Sequence, residues 1–149
     1  MRRPWYGFHS CTYLLTYHLV FVVKYRKPVI SEGISAFLKQ HASYMAERFK
    51  GELLSAETDR DHMHLLVSLP PNTNLSVFVR SIKTQLSKEV RARFPEEVGK
   101  YLYGKDTPFW TESYFAATTG TSSMEKAIEY IESQKTEKHQ EKYKKRTPK

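Results

Sequence analysis

The 149-residue sequence predicts an α+β fold. Short runs rich in β-branched and aromatic residues alternate with two longer stretches whose apolar residues recur at three- and four-residue steps. A polar link between two of the short runs adds an antiparallel hairpin in mid-chain.

From Thr12 to Lys24, TYLLTYHLVFVVK reads as one long strand buried on both faces and ended by Pro28. Ile34, Phe37, Leu38, His41, Ala42, Met45 and Phe49 then form one stripe of a helix that Gly51 closes. Glu52 to Thr58 and His62 to Leu69 are two strands joined by Asp59-Arg60-Asp61, and Pro70-Pro71 stops the second. Leu75, Phe78, Val79, Ile82, Leu86 and Val90 mark a second amphipathic helix, with Arg80, Lys83, Lys88 and Arg91 as a basic outer face.

Pro95 to Asp106 is irregular or briefly helical, Phe109 to Thr118 reads as a fourth strand, and a last helix begins near Ser122. Ser122 and Glu125 fit a capping box there, with Met124, Ala127, Ile128 and Ile131 as the buried stripe. The order is βαββαβα. Two right-handed crossovers joined by a hairpin give a ferredoxin-like four-stranded antiparallel sheet with helices on one face and an additional C-terminal helix.

Length allows a single domain over residues 1–149, with a charged tail from about Lys135 expected to fray into solvent. Hydrophobic residues at 40% and charged residues at 27% exclude a disordered or collagen-like chain. Lys and Arg outnumber Asp and Glu by 24 to 16, a net charge of +8, which draws a polyanion and makes nucleic acid the first partner to consider, although a basic surface that only aids solubility accounts for the charge equally well. Cys11 alone excludes an intramolecular disulfide and a multi-cysteine zinc site, and suits the cytoplasm. The longest apolar stretch, Leu19 to Val23, is too short to span a bilayer, so neither membrane insertion nor export is expected.

His62-Met63-His64 lies on a predicted strand, where alternation turns both imidazoles to one face and Met63, Leu65, Val67 and Leu69 to the other. Such a pair is half a metal site or an incidental placement. On the last helix Tyr130 and Gln134, one turn apart, stand outside the buried stripe. Tyr130 is there either to present its hydroxyl to a cleft or to half-bury its ring.

Five ordered stretches, YHLVFVVKYRKPV, DRDHMHLLVSLPP, SIKTQLSKEVRARFP, FWTESYFAATTG and EYIESQ, resemble the single-tyrosine HUH transposases of bacterial and archaeal insertion sequences, from about Tyr13 to Gln134. His62-Met63-His64 satisfies the histidine-hydrophobic-histidine motif, and Tyr130 and Gln134 satisfy Tyr-x-x-x-Gln. The resemblance implies that His62, His64 and Gln134 hold a divalent cation, Mg²⁺ or Mn²⁺, and that Tyr130 is the nucleophile. It implies cleavage and rejoining of hairpin-bearing single-stranded DNA through a 5′-phosphotyrosine, in a homodimer where one subunit's histidines meet the other's tyrosine. The chemistry is coherent, because a phenol of pKa near ~10 attacks phosphate poorly without help. In the family a glycine-rich hinge precedes the tyrosine helix, whereas Thr118-Thr119-Gly120-Thr121 holds one glycine, which implies a stiffer hinge.

For DNA contact, Arg80, Lys83, Lys88, Arg91 and Arg93 are phosphate candidates, and Trp110, Tyr114 or Phe115 could stack on bases. A solvated basic face and core aromatics explain the same residues. Gly99 to Lys105 has the spacing of a phosphate-binding loop, but Asp106 replaces the required hydroxyl residue and no strand leads in. Two further functions fit the composition: a domesticated relative cutting hairpin repeats, and a non-catalytic single-stranded nucleic-acid-binding module.

Overall fold

The protein's computed structural model describes residues 5–104, 106–119 and 123–134. Gly120, Thr121, Ser122 of the capping box and the tail from Lys135 lie outside the described residues.

The chain opens with a two-stranded hairpin, β1 (Tyr6–Phe8) and β2 (Cys11–Tyr13), before the sheet proper begins with β3 (Thr16–Val22). After a 3-10 turn at Lys24–Arg26 come α1 (Glu32–Arg48), β4 (Glu52–Thr58) and β5 (His62–Ser68). Then follow α2 (Leu75–Arg93), α3 (Pro95–Tyr101), β6 (Phe115–Thr118) and α4 (Ser123–Ser133). The strand order β4-β5-β3-β6 is antiparallel throughout, so each crossover, through α1 and through α2, skips one strand. This is the expected ferredoxin-like arrangement.

Helices α1 and α2 begin where side chains cap them: Ser31 accepts from the Ile34 amide and Asn74 from the Val77 amide. Their apolar stripes, Ile34, Leu38 and Met45 with Phe78, Ile82 and Leu86, bury against one sheet face made of Leu19, Phe21, Met63, Leu65 and Val67. Gly51 permits the turn from α1 into β4, since a Cβ there would lie 2.5 Å from the Ser68 carbonyl. Lys50 takes the left-handed conformation beside it, at φ 64°.

The other sheet face carries a smaller core in which Val20 and Val22 meet Ala127 and Ile131 of α4. Helices α1 and α2 therefore cover one face, with Val98 of α3 joining the same core, and the appended helix packs on the opposite face. Of its expected stripe, Ala127 and Ile131 are buried while Met124 and Ile128 are half-exposed, because α4 meets the sheet along a narrow seam.

Two strand expectations are corrected. The single strand from Thr12 to Lys24 is broken: residues 11–13 fold back on β1, with Tyr6 and Tyr13 stacked at 5.4 Å, and Lys24–Arg26 form a turn with Tyr25 at φ 59°. The strand from Phe109 shrinks to Phe115–Thr118, since Phe109 and Trp110 are drawn into the larger core and Trp110 bridges Val23 alone. Gly99, of the rejected phosphate-loop match, lies inside α3.

Candidate active site

Period-two alternation on β5 fixes the centre of the site. Met63, Leu65 and Val67 enter the larger core, so His62 and His64 emerge together on the α4 side, ring centroids 5.0 Å apart. The Nδ1 of each ring is committed to the protein. His62 Nδ1 donates to Asp61 Oδ1 at 2.8 Å, while Arg26 Nε donates to Asp61 Oδ2 at 3.1 Å. The hydrogen bond from His62, aided by Arg26, holds the Asp61 carboxyl below the usual carboxylate range.

His64 Nδ1 lies 3.0 Å from Nε2 of His18, a β3 residue whose ring stacks on it at 5.2 Å. Burial, reinforced by the neighbouring His62 and His18, brings the His64 imidazole down to about 4, so it is neutral near pH 7. Burial also lowers His18. His18 was not singled out from sequence: the ladder pairs His64 with Val20, making His18 a diagonal neighbour visible only once the β3–β5 register is known.

The pair opens into a cleft of about 460 Å³ whose walls include Arg26, Asp59 and, from α4, Ile128, Ile131 and Glu132. Tyr130 belongs to another side of α4. Its hydroxyl lies 2.6 Å from Ser113 Oγ and its ring against Phe115. Burial raises the phenol above its ordinary value, opposed by hydrogen bonds from Ser113 and Thr111. Gln134 is half-buried at the helix end, its backbone N–H donating to the Ile131 carbonyl, and is not among the cleft's lining residues. The structure thus unites His62 and His64 and sets Tyr130 apart from them.

The candidate DNA-contact residues divide in the same way. Arg80, Lys88 and Arg93 are exposed, Arg93 lying over Phe37 at 4.8 Å. Lys83 is not on the outer face: Nζ donates to the carbonyls of Thr111 at 2.7 Å and Ser113 at 3.1 Å, and burial brings its ammonium down to about 8. It braces the loop that receives Tyr130. Arg91 donates to the Thr107 carbonyl. Trp110 is buried at 4% exposure and so is withdrawn from base stacking, while Tyr114 and Phe115 are half-buried.

Compared with known proteins, a sheet of this topology with this helix across it falls among transposases. Residues 11–134 match the family model described as IS200-like transposase, and the chain belongs to that family. It is 31% identical over 122 residues to ISDra2 transposase TnpA of Deinococcus radiodurans, covering 82% of this chain and 85% of that protein. It is 28% identical over 122 residues to the transposase for insertion sequence element IS200 of Salmonella typhimurium, covering 79% and 75%. A crystal structure described as a Deinococcus radiodurans R1 transposase superimposes with a TM-score of 0.80 at 26% identity, over 88% of this chain and 98% of that one. The fold is shared with a REP-associated tyrosine transposase solved on a REP hairpin, at TM-score 0.51 and 16% identity over 84% and 70%.

The family uses a divalent metal, and the residues present fit one. Two imidazoles share one face, one held neutral, and each uses Nδ1 in its hydrogen bond within the protein, so Nε2 is the nitrogen left outside these bonds. Among the described residues no three His, Cys, Asp or Glu side chains cluster closely enough to hold an ion.

Proposed function

We propose that this IS200-type transposase cleaves and rejoins single-stranded DNA by tyrosine transesterification. His62 and His64 hold Mg²⁺ or Mn²⁺ with the Gln134 amide, and Tyr130 is the nucleophile. The observation that carries the reading is the histidine pair itself: one face, opposite Nδ1 anchors, an open cleft. A bound divalent ion supplies positive charge to the phosphoryl oxygens and favours the phenolate.

The chain's own part is to present and to protect. The Tyr130 oxygen bonds to phosphorus as the P–O3′ bond breaks, the phenol proton passes to solvent, and the departing O3′ takes a proton from solvent to become a 3′ hydroxyl. The resulting 5′-phosphotyrosine conserves the energy of the broken ester, so rejoining is the reverse attack and no nucleotide cofactor is needed. Because Tyr130 rests against Ser113, the hydroxyl must reach a histidine pair by movement of α4, on its own sheet or on that of a second copy. A homodimer exchanging these helices satisfies that requirement. Exposed Arg80, Lys88 and Arg93 are assigned to phosphates of the strand. A hairpin-bearing strand is the assigned substrate, supported by the family membership and by the fold relative solved on a hairpin.

No helix among the described residues is long and apolar enough to cross a membrane, and we assign the protein to the cytoplasm with its DNA. The test incubates the full chain with hairpin oligonucleotides in Mg²⁺, Mn²⁺ or EDTA and scores a denaturation-resistant adduct. A metal-dependent adduct lost in Tyr130→Phe, with DNA binding retained, is expected. Binding without an adduct on the element's own flanking DNA would identify a non-catalytic binding module instead.

A further inference from the structure

His18 is 5% exposed, so both ring nitrogens must find partners inside the protein. One is Nε2, 3.0 Å from His64 Nδ1. The ring also hydrogen-bonds the backbone of Ser123, the first residue of α4, a contact that raises the imidazole and so is one in which the ring donates. Edge-on contact with Phe115, at 6.0 Å between centroids, fixes the ring plane.

A neutral imidazole carries one donor and one acceptor. If the donor serves the Ser123 carbonyl, Nε2 of His18 is the acceptor, and the shared proton belongs to Nδ1 of His64. That assignment leaves the lone pair of His64 on Nε2, directed away from His18. Asp61 does the same for His62, since a carboxylate can only accept the Nδ1 proton. Under that assignment two chemically unlike neighbours favour the same tautomer in the two histidines.

We propose that His18 is a positioning residue of the metal site: it holds His64 as the Nδ1–H tautomer with Nε2 free for the ion, and ties that state to the seating of α4 through Ser123. The proposal rests on the reading of His62 and His64 as metal ligands. It adds a role for a residue that touches neither ion nor DNA. When α4 leaves, the Ser123 contact breaks, and the tautomer of His18 is no longer dictated.

Two measurements test it, neither relying on turnover. Long-range ¹H–¹⁵N correlation spectra of the metal-free chain report the tautomer of His64; Nδ1–H is expected, and Nε2–H would overturn the proposal without any variant. Calorimetric titration with Mn²⁺ then compares wild type, His18→Leu and His18→Gln. The leucine variant should bind about 10- to 100-fold more weakly, the usual effect of removing such an outer partner. Glutamine, whose amide can both accept from His64 and donate to Ser123, should recover most of that loss. A leucine variant that folds and binds Mn²⁺ like wild type removes the role of His18 and leaves the histidine pair standing. A wild-type chain that binds no Mn²⁺ removes the metal site and the proposal with it.

Discussion

The hydroxyl of Tyr130 and that of Ser113 lie 2.6 Å apart, on a side of α4 different from the one that Ile128 and Glu132 present to the histidine cleft. Residues 128 and 132 are each two positions from Tyr130, about 200° around a helix, so one rotation state cannot direct all three at the same point.

Tyr130 should therefore titrate above an ordinary phenol in the metal-free, DNA-free protein. Ser113→Ala removes a hydrogen bond that opposes the rise, so the value should climb further. The ¹³Cζ shift of labelled Tyr130 followed against pH checks both; a phenol titrating below 10 would show the seat to be wrong.

His64 gives a pH dependence of stability with a definite sign. Its folded value, about 4, lies below the 6.5 of the unfolded chain, so between these values the unfolded state gains a proton that the folded state declines. Stability is full above pH 6.5 and is lost as pH falls toward 4. Urea midpoints across that window should decline, and less steeply in His64→Gln.

Lys83 and Arg80 share a helix but should behave oppositely. Lys83→Met strips two carbonyls of their donor and should cost about 1–3 kcal/mol by denaturation. Arg80→Ala should leave stability within about 0.5 kcal/mol and lower the salt slope of DNA binding by about 1. Equal effects of the two on the salt slope would contradict the division.

Gly51→Ala should destabilise by about 1–3 kcal/mol through overpacking, because the new methyl would meet the Ser68 carbonyl at 2.5 Å and Leu69 Cδ2 at 2.8 Å. Thermal melting checks this; an unchanged midpoint would mean that β4 and β5 separate easily there.

What could be read from sequence was what local periodicity encodes. The stripes of α1 and α2 and the shared face of His62 and His64 follow from spacing within one element. His18 was hidden because its relation to His64 depends on register between strands distant in sequence. The β1–β2 hairpin was hidden because its turn, with His9 at φ 53°, lacks the Asn-Gly signal, and because Tyr6 is anchored by donation to Glu52 on β4. Lys83 was misplaced because helical spacing says which side chains face out, not which long ones bend back to meet a neighbouring loop.

The seam under α4 has a consequence for cooperativity. Ala127 and Ile131 are its buried apolar residues, against a much larger core beneath the opposite face. Local opening of that helix exposes little surface and leaves the sheet and the other helices intact. In amide exchange, α4 should form a unit of its own, opening at a lower free energy than the strands beneath. On the proposed function, a nucleophile mounted on such a unit can travel between sheets while the histidine pair stays folded, so a mobile tyrosine and a fixed pair of metal-binding histidines are compatible.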